Sequence, residues 1–105
     1  MSAKISKKIH DETNVLSRKK GNGILRREVW VDGKGKVIRY NLAYINAKEF
    51  AEDNGRIVGY DNAHNYHHRH YYGKVQEINF VNFQQIEESF EIDVTEILNR
   101  LRNTK

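Results

Sequence analysis

The apolar residues of this chain change period once, near Phe80, and that change limits what the chain can fold into. Before Phe80 the pattern alternates. In Val37 to Ile45, the residues Ile38, Tyr40, Leu42 and Tyr44 alternate with Arg39 and Asn41, as in a half-buried strand. Ile24 to Val31 reads the same way, with Leu25, Val29 and Val31 on one face and Trp30 on the other. Arg56 to Tyr60 and Val75 to Phe80 read as further strands, and Val15 to Arg18 as a weak one. Gly-Asn-Gly at 21–23, Asp-Gly-Lys-Gly at 32–35 and Asp-Asn-Gly at 53–55 are hairpin-type turns between them. Connections this short favour an antiparallel meander.

After Phe80, Ile86, Phe90, Val94, Ile97, Leu98 and Leu101 recur at helical spacing. Asn82 is placed to cap a helix, with Gln85 three residues on. Asp93 and Glu96 repeat that signature, so the segment reads as one helix or as two short ones broken near Glu91–Asp93. The expected fold class is α+β: an antiparallel β-meander of four to five strands, covered on one face by a C-terminal amphipathic helix. Residues 14–105 are expected to form this single domain. Residues 1–13 are polar and charged, with Ile5 and Ile9 four apart, and read as a basic N-terminal tail or a short helix.

The 105 residues give room for one core, and 38 % apolar content argues against disorder of the whole chain. No segment approaches the roughly 20 apolar residues of a membrane span. The start, Met-Ser-Ala-Lys-Ile-Ser-Lys-Lys, lacks the apolar run of a signal peptide. With no cysteine, disulfides and thiolate zinc sites are excluded. A cytoplasmic protein with no membrane partner is the expectation. Charge is uneven: residues 1–39 hold eleven Lys or Arg against four Asp or Glu, whereas residues 40–105 hold seven against ten. A basic first third suits a polyanion-binding face, or simply a solvated one.

Four of the five histidines fall at 64, 67, 68 and 70, within Tyr-Asp-Asn-Ala-His-Asn-Tyr-His-His-Arg-His-Tyr-Tyr at 60–72. Phosphodiester cleavage in RNA needs a base for the 2′-hydroxyl, an acid for the leaving 5′-oxygen and a cation for the phosphorane. Histidine fills either proton role near neutral pH, and arginine grips phosphate without losing its charge. On extended backbone His68 and His70 share a face, with Arg69 on the other unless the chain bends. Two imidazoles with Asp61 are also a possible cation site, although the spacing matches no standard zinc pattern and Arg69 beside it would repel a cation. A hydrophilic loop without chemistry is the bland alternative. Asp61 and Asn62 serve equally to shape a turn. Tyr40, Tyr44 and Trp30 read as sheet packing more readily than as base-stacking platforms. The Arg26–Arg27 pair and Arg18–Lys20 read as solvated face.

Gly59, Tyr60, Asp61 and Asn62, followed after a short stretch by His68, Arg69 and His70, resemble the TumE family, toxins of prokaryotic type II toxin–antitoxin systems. The strands Arg-Ile-Val-Gly-Tyr-Asp-Asn and Arg-Tyr-Asn-Leu-Ala-Tyr-Ile are similar to the family as well. The likeness covers roughly residues 24–100 and leaves the basic segment 1–13 outside it. It implies a small toxin acting on RNA, restrained by a cognate antitoxin that is usually a helix-turn-helix DNA-binding protein. Together these readings suggest a metal-independent endoribonuclease without a cofactor. His68, Arg69, His70 and Asp61 are its candidate catalytic residues, with Asp61 orienting a histidine. Tyr60, Asn62, His64, Tyr66 and His67 are candidates for substrate binding. The alternatives are a non-catalytic module that binds nucleic acid or protein, and a metal-dependent nuclease.

Overall fold

The computed structural model describes residues 6–103. Six strands run in sequence order across one antiparallel sheet: β1 (Lys7–Val15), β2 (Ile24–Val31), β3 (Val37–Ile45), β4 (Arg56–Asp61), β5 (His68–Tyr71) and β6 (Lys74–Glu77). One helix, α1 (Phe83–Asn103), follows. The expected α+β meander with a C-terminal helix is therefore present, with six strands rather than four to five.

The additional strands come from segments whose local signals are weak. Lys7–Val15 is neither a tail nor a short helix; it pairs along β2 from Lys7↔Val31 to Val15↔Ile24. Its side chains are almost all exposed, so it carries no apolar alternation for the eye to find. Ile5, half of the expected helical pair, lies outside the described residues. The weak strand read at Val15–Arg18 is the end of β1 followed by a 3-10 turn at Arg18–Lys20. β5 lies inside the histidine-rich segment. It returns to β6 through Tyr72 and Gly73, both at positive φ (49° and 81°), as a two-residue type I′ hairpin requires. The usual Asn-Gly signal is missing because a tyrosine takes the left-handed position. Its ring is held edge-on against Phe50, 5.5 Å away. The last strand ends at Glu77, before Phe80.

The helix begins where its cap predicts: Asn82 Oδ1 accepts the Gln85 N–H at 2.8 Å. It runs without a break through Glu91–Asp93, so the two-helix alternative is set aside. Ile86, Val94 and Ile97 bury against Tyr40, Leu42 and Tyr44 of β3 and Val58 and Tyr60 of β4. Burying each aliphatic side chain contributes on the order of 1.5–3 kcal/mol. The helix covers β3 and β4 on one side only. The opposite side of the sheet carries the other half of each alternation, and it holds most of the sheet's charged and imidazole side chains.

Candidate active site

Strand pairing brings the chemistry of the open face together. Asn41, Asp61, His68 and Glu77 stand opposite one another in a row across β3 to β6. The next row is Ala43, Gly59, His70 and Val75. His68 and His70 are two apart on β5 and share this face, with ring centroids 4.8 Å apart. Both reach the carboxylate between them: His68 Nε2 lies 2.7 Å from Asp61 Oδ1, and His70 Nε2 lies 3.0 Å from Asp61 Oδ2. All three residues are under 10 % exposed, at 8 % for Asp61, 5 % for His68 and 9 % for His70.

Their partners define the protons. Arg56 Nη2 donates to His70 Nδ1 at 3.0 Å, so that nitrogen carries the lone pair and Nε2–H faces Asp61. Burial, and then the Arg56 charge, hold the His70 pKa below the ordinary histidine value. The neutral ring and the hydrogen-bond pattern agree. His68 differs, because Nδ1 faces the Tyr66 carbonyl at 3.1 Å and Nε2 faces the carboxylate. Both contacts are satisfied when the ring carries both protons.

Arg56 is the residue that sequence reasoning misses. Alternation along β4 would put it with Val58 and Tyr60 under the helix. Between Tyr44↔Val58 and Ile45↔Arg56, however, β4 holds one extra residue, and this bulge turns Arg56 to the open face. Two hydrogen bonds to Asp53, at 2.9 and 3.1 Å, fix the guanidinium. Its stem crosses Gly59, where a Cβ would come within 2.7 Å of Arg56 Cδ. The small pair Ala43 and Gly59, set among bulky strand residues, is the one sequence signal of that close approach. Arg56 Nη1 stands 3.7 Å from Asp61 Oδ2.

Arg69 lies on the other side of the sheet. Its Nε donates to Asp93 of α1 at 2.9 Å, and Tyr60 donates to the same oxygen at 2.6 Å. Arg69 and Tyr60 thus tie the helix to the sheet and do not meet the histidines. Burial, reinforced by the bond to Asp93, raises the Tyr60 pKa. His67 is also turned inward, bonded to the Tyr40 hydroxyl at 2.8 Å and stacked 4.0 Å from Phe80. Burial, and then nearby His68, lower its pKa. Asn62 extends the ladder, accepting from Tyr40 N at 3.0 Å and donating to Ile38 O at 2.9 Å. His64 is exposed in the Ala63–Asn65 turn at φ 62°. Tyr66 remains beside the site, its ring 4.7 Å from that of His68.

Access is from the open face. A groove of about 370 Å³ is lined by Trp30, Arg39, Asn41, Arg56 and Asp61 among others, and Arg56 separates it from His70 Nδ1. A second groove of about 360 Å³, between α1 and β2, has an apolar floor rimmed by Arg27, Glu87 and Glu91, and opens on the helix side of the sheet. Ligand atoms of Asp61, His68 and His70 lie within 4.8 Å of one another, close enough for a cation. The adjacent Arg56 charge works against one. Among the described residues, no helix is long and apolar enough to cross a membrane.

An antiparallel sheet with a helix on one face and a carboxylate–imidazole cluster on the other defines a small α+β protein built around one polar centre. The family model described as Toxin TumE matches residues 7–101, and the chain belongs to that toxin family. The match takes in β1, which the likeness over 24–100 leaves out. No curated protein and no solved structure matches the chain.

Proposed function

We propose that this toxin is a metal-independent endoribonuclease that acts in the cytoplasm, with His70 as general base and Arg56 as the phosphate-binding cation. The observation that carries the reading is the environment of His70. A carboxylate holds Nε2–H, the ring is neutral, and the far nitrogen points its lone pair at an arginine bordering the groove. A carboxylate behind an imidazole fixes the tautomer and steadies the imidazolium that forms when the far nitrogen takes a proton. An incoming phosphate would draw the Arg56 guanidinium onto its non-bridging oxygens and free Nδ1 for the 2′-hydroxyl proton. The 2′-oxygen then attacks phosphorus, the bond to the 5′-oxygen breaks, and the leaving oxygen takes the Nδ1 proton of His68, which leaves the Tyr66 carbonyl for it while Nε2 stays on Asp61. The products are a 2′,3′-cyclic phosphate and a 5′-hydroxyl. Arg56 takes the transition-state role that the residue types first suggest for Arg69. Tyr66, and the exposed His64 more distantly, border the site on the substrate side. Membership of a toxin family supports a cognate antitoxin as partner, and a helix-turn-helix protein is the form we propose for it.

The test is cleavage of RNA by the purified protein in EDTA. Wild type should cut and leave cyclic phosphate ends. His70→Gln should lower kcat by about 10²–10⁴-fold with the fold retained, and Arg56→Lys should lower it too, because lysine lacks the bidentate fork. Full activity in His70→Gln would remove the assignment. Activity lost in EDTA and restored by a divalent cation would favour the second reading, in which Asp61, His68 and His70 hold a metal.

A further inference from the structure

Trp30 is on the wrong side of the sheet for a packing residue. It alternates with Val29 and Val31, which are buried, and so projects from β2 onto the face that no helix covers. Its cross-strand neighbours are Lys8 on β1 and Arg39 on β3. The Arg39 guanidinium lies over the indole at 4.7 Å from the ring centroid, and Lys8 Nζ at 4.9 Å. Lys8 is neutralised by Glu28 and Asp11. Arg26, Arg27, Arg56 and Arg69 each have a carboxylate as well. Arg39 has no ion-pair partner among the described residues. It is an exposed, unneutralised cation set over an aromatic ring, and it lines the same groove as Arg56 and Asp61.

We infer that Trp30 and Arg39 form a nucleotide subsite beside the reacting phosphate, and that this subsite commits the protein to single-stranded RNA. The inference rests on the ribonuclease reading and adds its substrate class. A guanidinium over an indole offers N–H groups to phosphate, and the pair together offers a cationic and aromatic surface on which a base can stack. The groove, at about 370 Å³, lies within the roughly 300–1,000 Å³ of small-ligand clefts. An unstacked base with its ribose fits such a space. In an A-form duplex the bases are paired and stacked inside and cannot reach the platform. Between Arg39 and Arg56, successive phosphates of one strand would find a cation each, and the second phosphate would lie beside His70.

Trp30 is the only tryptophan in the chain, so its emission reports on this subsite alone. The full-length His70→Gln protein should be titrated with a short single-stranded oligoribonucleotide, following indole fluorescence together with anisotropy of a labelled RNA. Saturable quenching that tracks binding is expected, and a duplex of the same length should give none. Arg39→Gln, at an exposed position that the fold does not need, should weaken single-strand binding about 5–150-fold, the range of one base stack. Binding without quenching, equal affinity for the duplex, or an unaltered Arg39→Gln would each overturn the subsite. If wild type still cleaves in those cases, the ribonuclease reading survives its loss. Quenching and Arg39-dependent binding without cleavage by wild type would leave the subsite standing and remove the nuclease. No RNA binding at all would remove both.

Discussion

His70 is asked to be neutral, and burial and Arg56 make it so against the pull of Asp61. Burial penalises the imidazolium, the Arg56 guanidinium at 3.0 Å repels it, and Asp61 pulls the other way with less effect. The consequence for stability has a definite sign. The folded pKa lies below the unfolded value near 6.5, so the unfolded chain binds the proton more tightly. The stabilisation is complete above that unfolded value and is lost as pH falls through the folded one. His67, half-buried between Tyr40 and Phe80, adds in the same direction. The melting temperature should therefore drop between about pH 7 and pH 5, and His70→Gln should make that slope shallower. A wild-type melting temperature that stayed level or rose on acidification would contradict the neutral assignment.

At the scale of elements, the helix is held to the sheet by more than its apolar stripe. Asp93 Oδ2 accepts from both Tyr60 and Arg69, so one carboxylate joins α1 to β4 and β5. Asp93→Ala leaves a buried tyrosine hydroxyl and a largely buried guanidinium without that acceptor. It should cost about 1–3 kcal/mol in urea unfolding. Arg69→Ala should cost less than that, because Asp93 keeps Tyr60. An Asp93→Ala protein as stable as wild type would mean that the apolar stripe alone docks the helix. Asp93 also illustrates what the sequence conceals. Its spacing from Glu96 mimics a capping signal, and only the sheet beneath reveals that its side chain is spent elsewhere. Asn82, with no competing partner, caps as its spacing predicts. The strands β2 and β3 were legible because apolar residues alternate with polar ones along much of each and glycine-bearing turns bound them. β1 and β6 lie at the edges and are exposed, so they carry little alternation. His68 and His70 were legible as a pair from their spacing. Arg56 was not, because a single bulged residue reverses the face on which it stands.

Across the whole molecule, the packed core and the polar cluster share β4 and part on either side of it, the core on β3 and the histidines on β5. The fold is long, 56 × 26 × 22 Å, and α1 packs mainly on its middle, against β3 and β4. β6 is exposed at all four positions, and β1 at every position except His10. Edge strands with few buried side chains open locally at a small fraction of the global unfolding free energy. The histidines lie one strand inside the β6 edge. β5 is held from within by its ladder to β4, which Tyr72 N extends by donating to Ile57 O at 2.7 Å. Native-state hydrogen exchange should thus be slowest for β3, β4 and the Ile86–Ile97 part of α1. It should be fast in β6 and the outer part of β1, with β5 between. Under this ranking, opening of β6 bares one flank of the His68–Asp61–His70 cluster while the ladder to β4 keeps its geometry. Opening of β1 removes Lys8 from Trp30 and leaves the cluster untouched. If β1 and β6 instead exchange as slowly as β3, the sheet opens only as a unit, and the Trp30–Arg39 pair and the His68–Asp61–His70 cluster cannot be loosened independently.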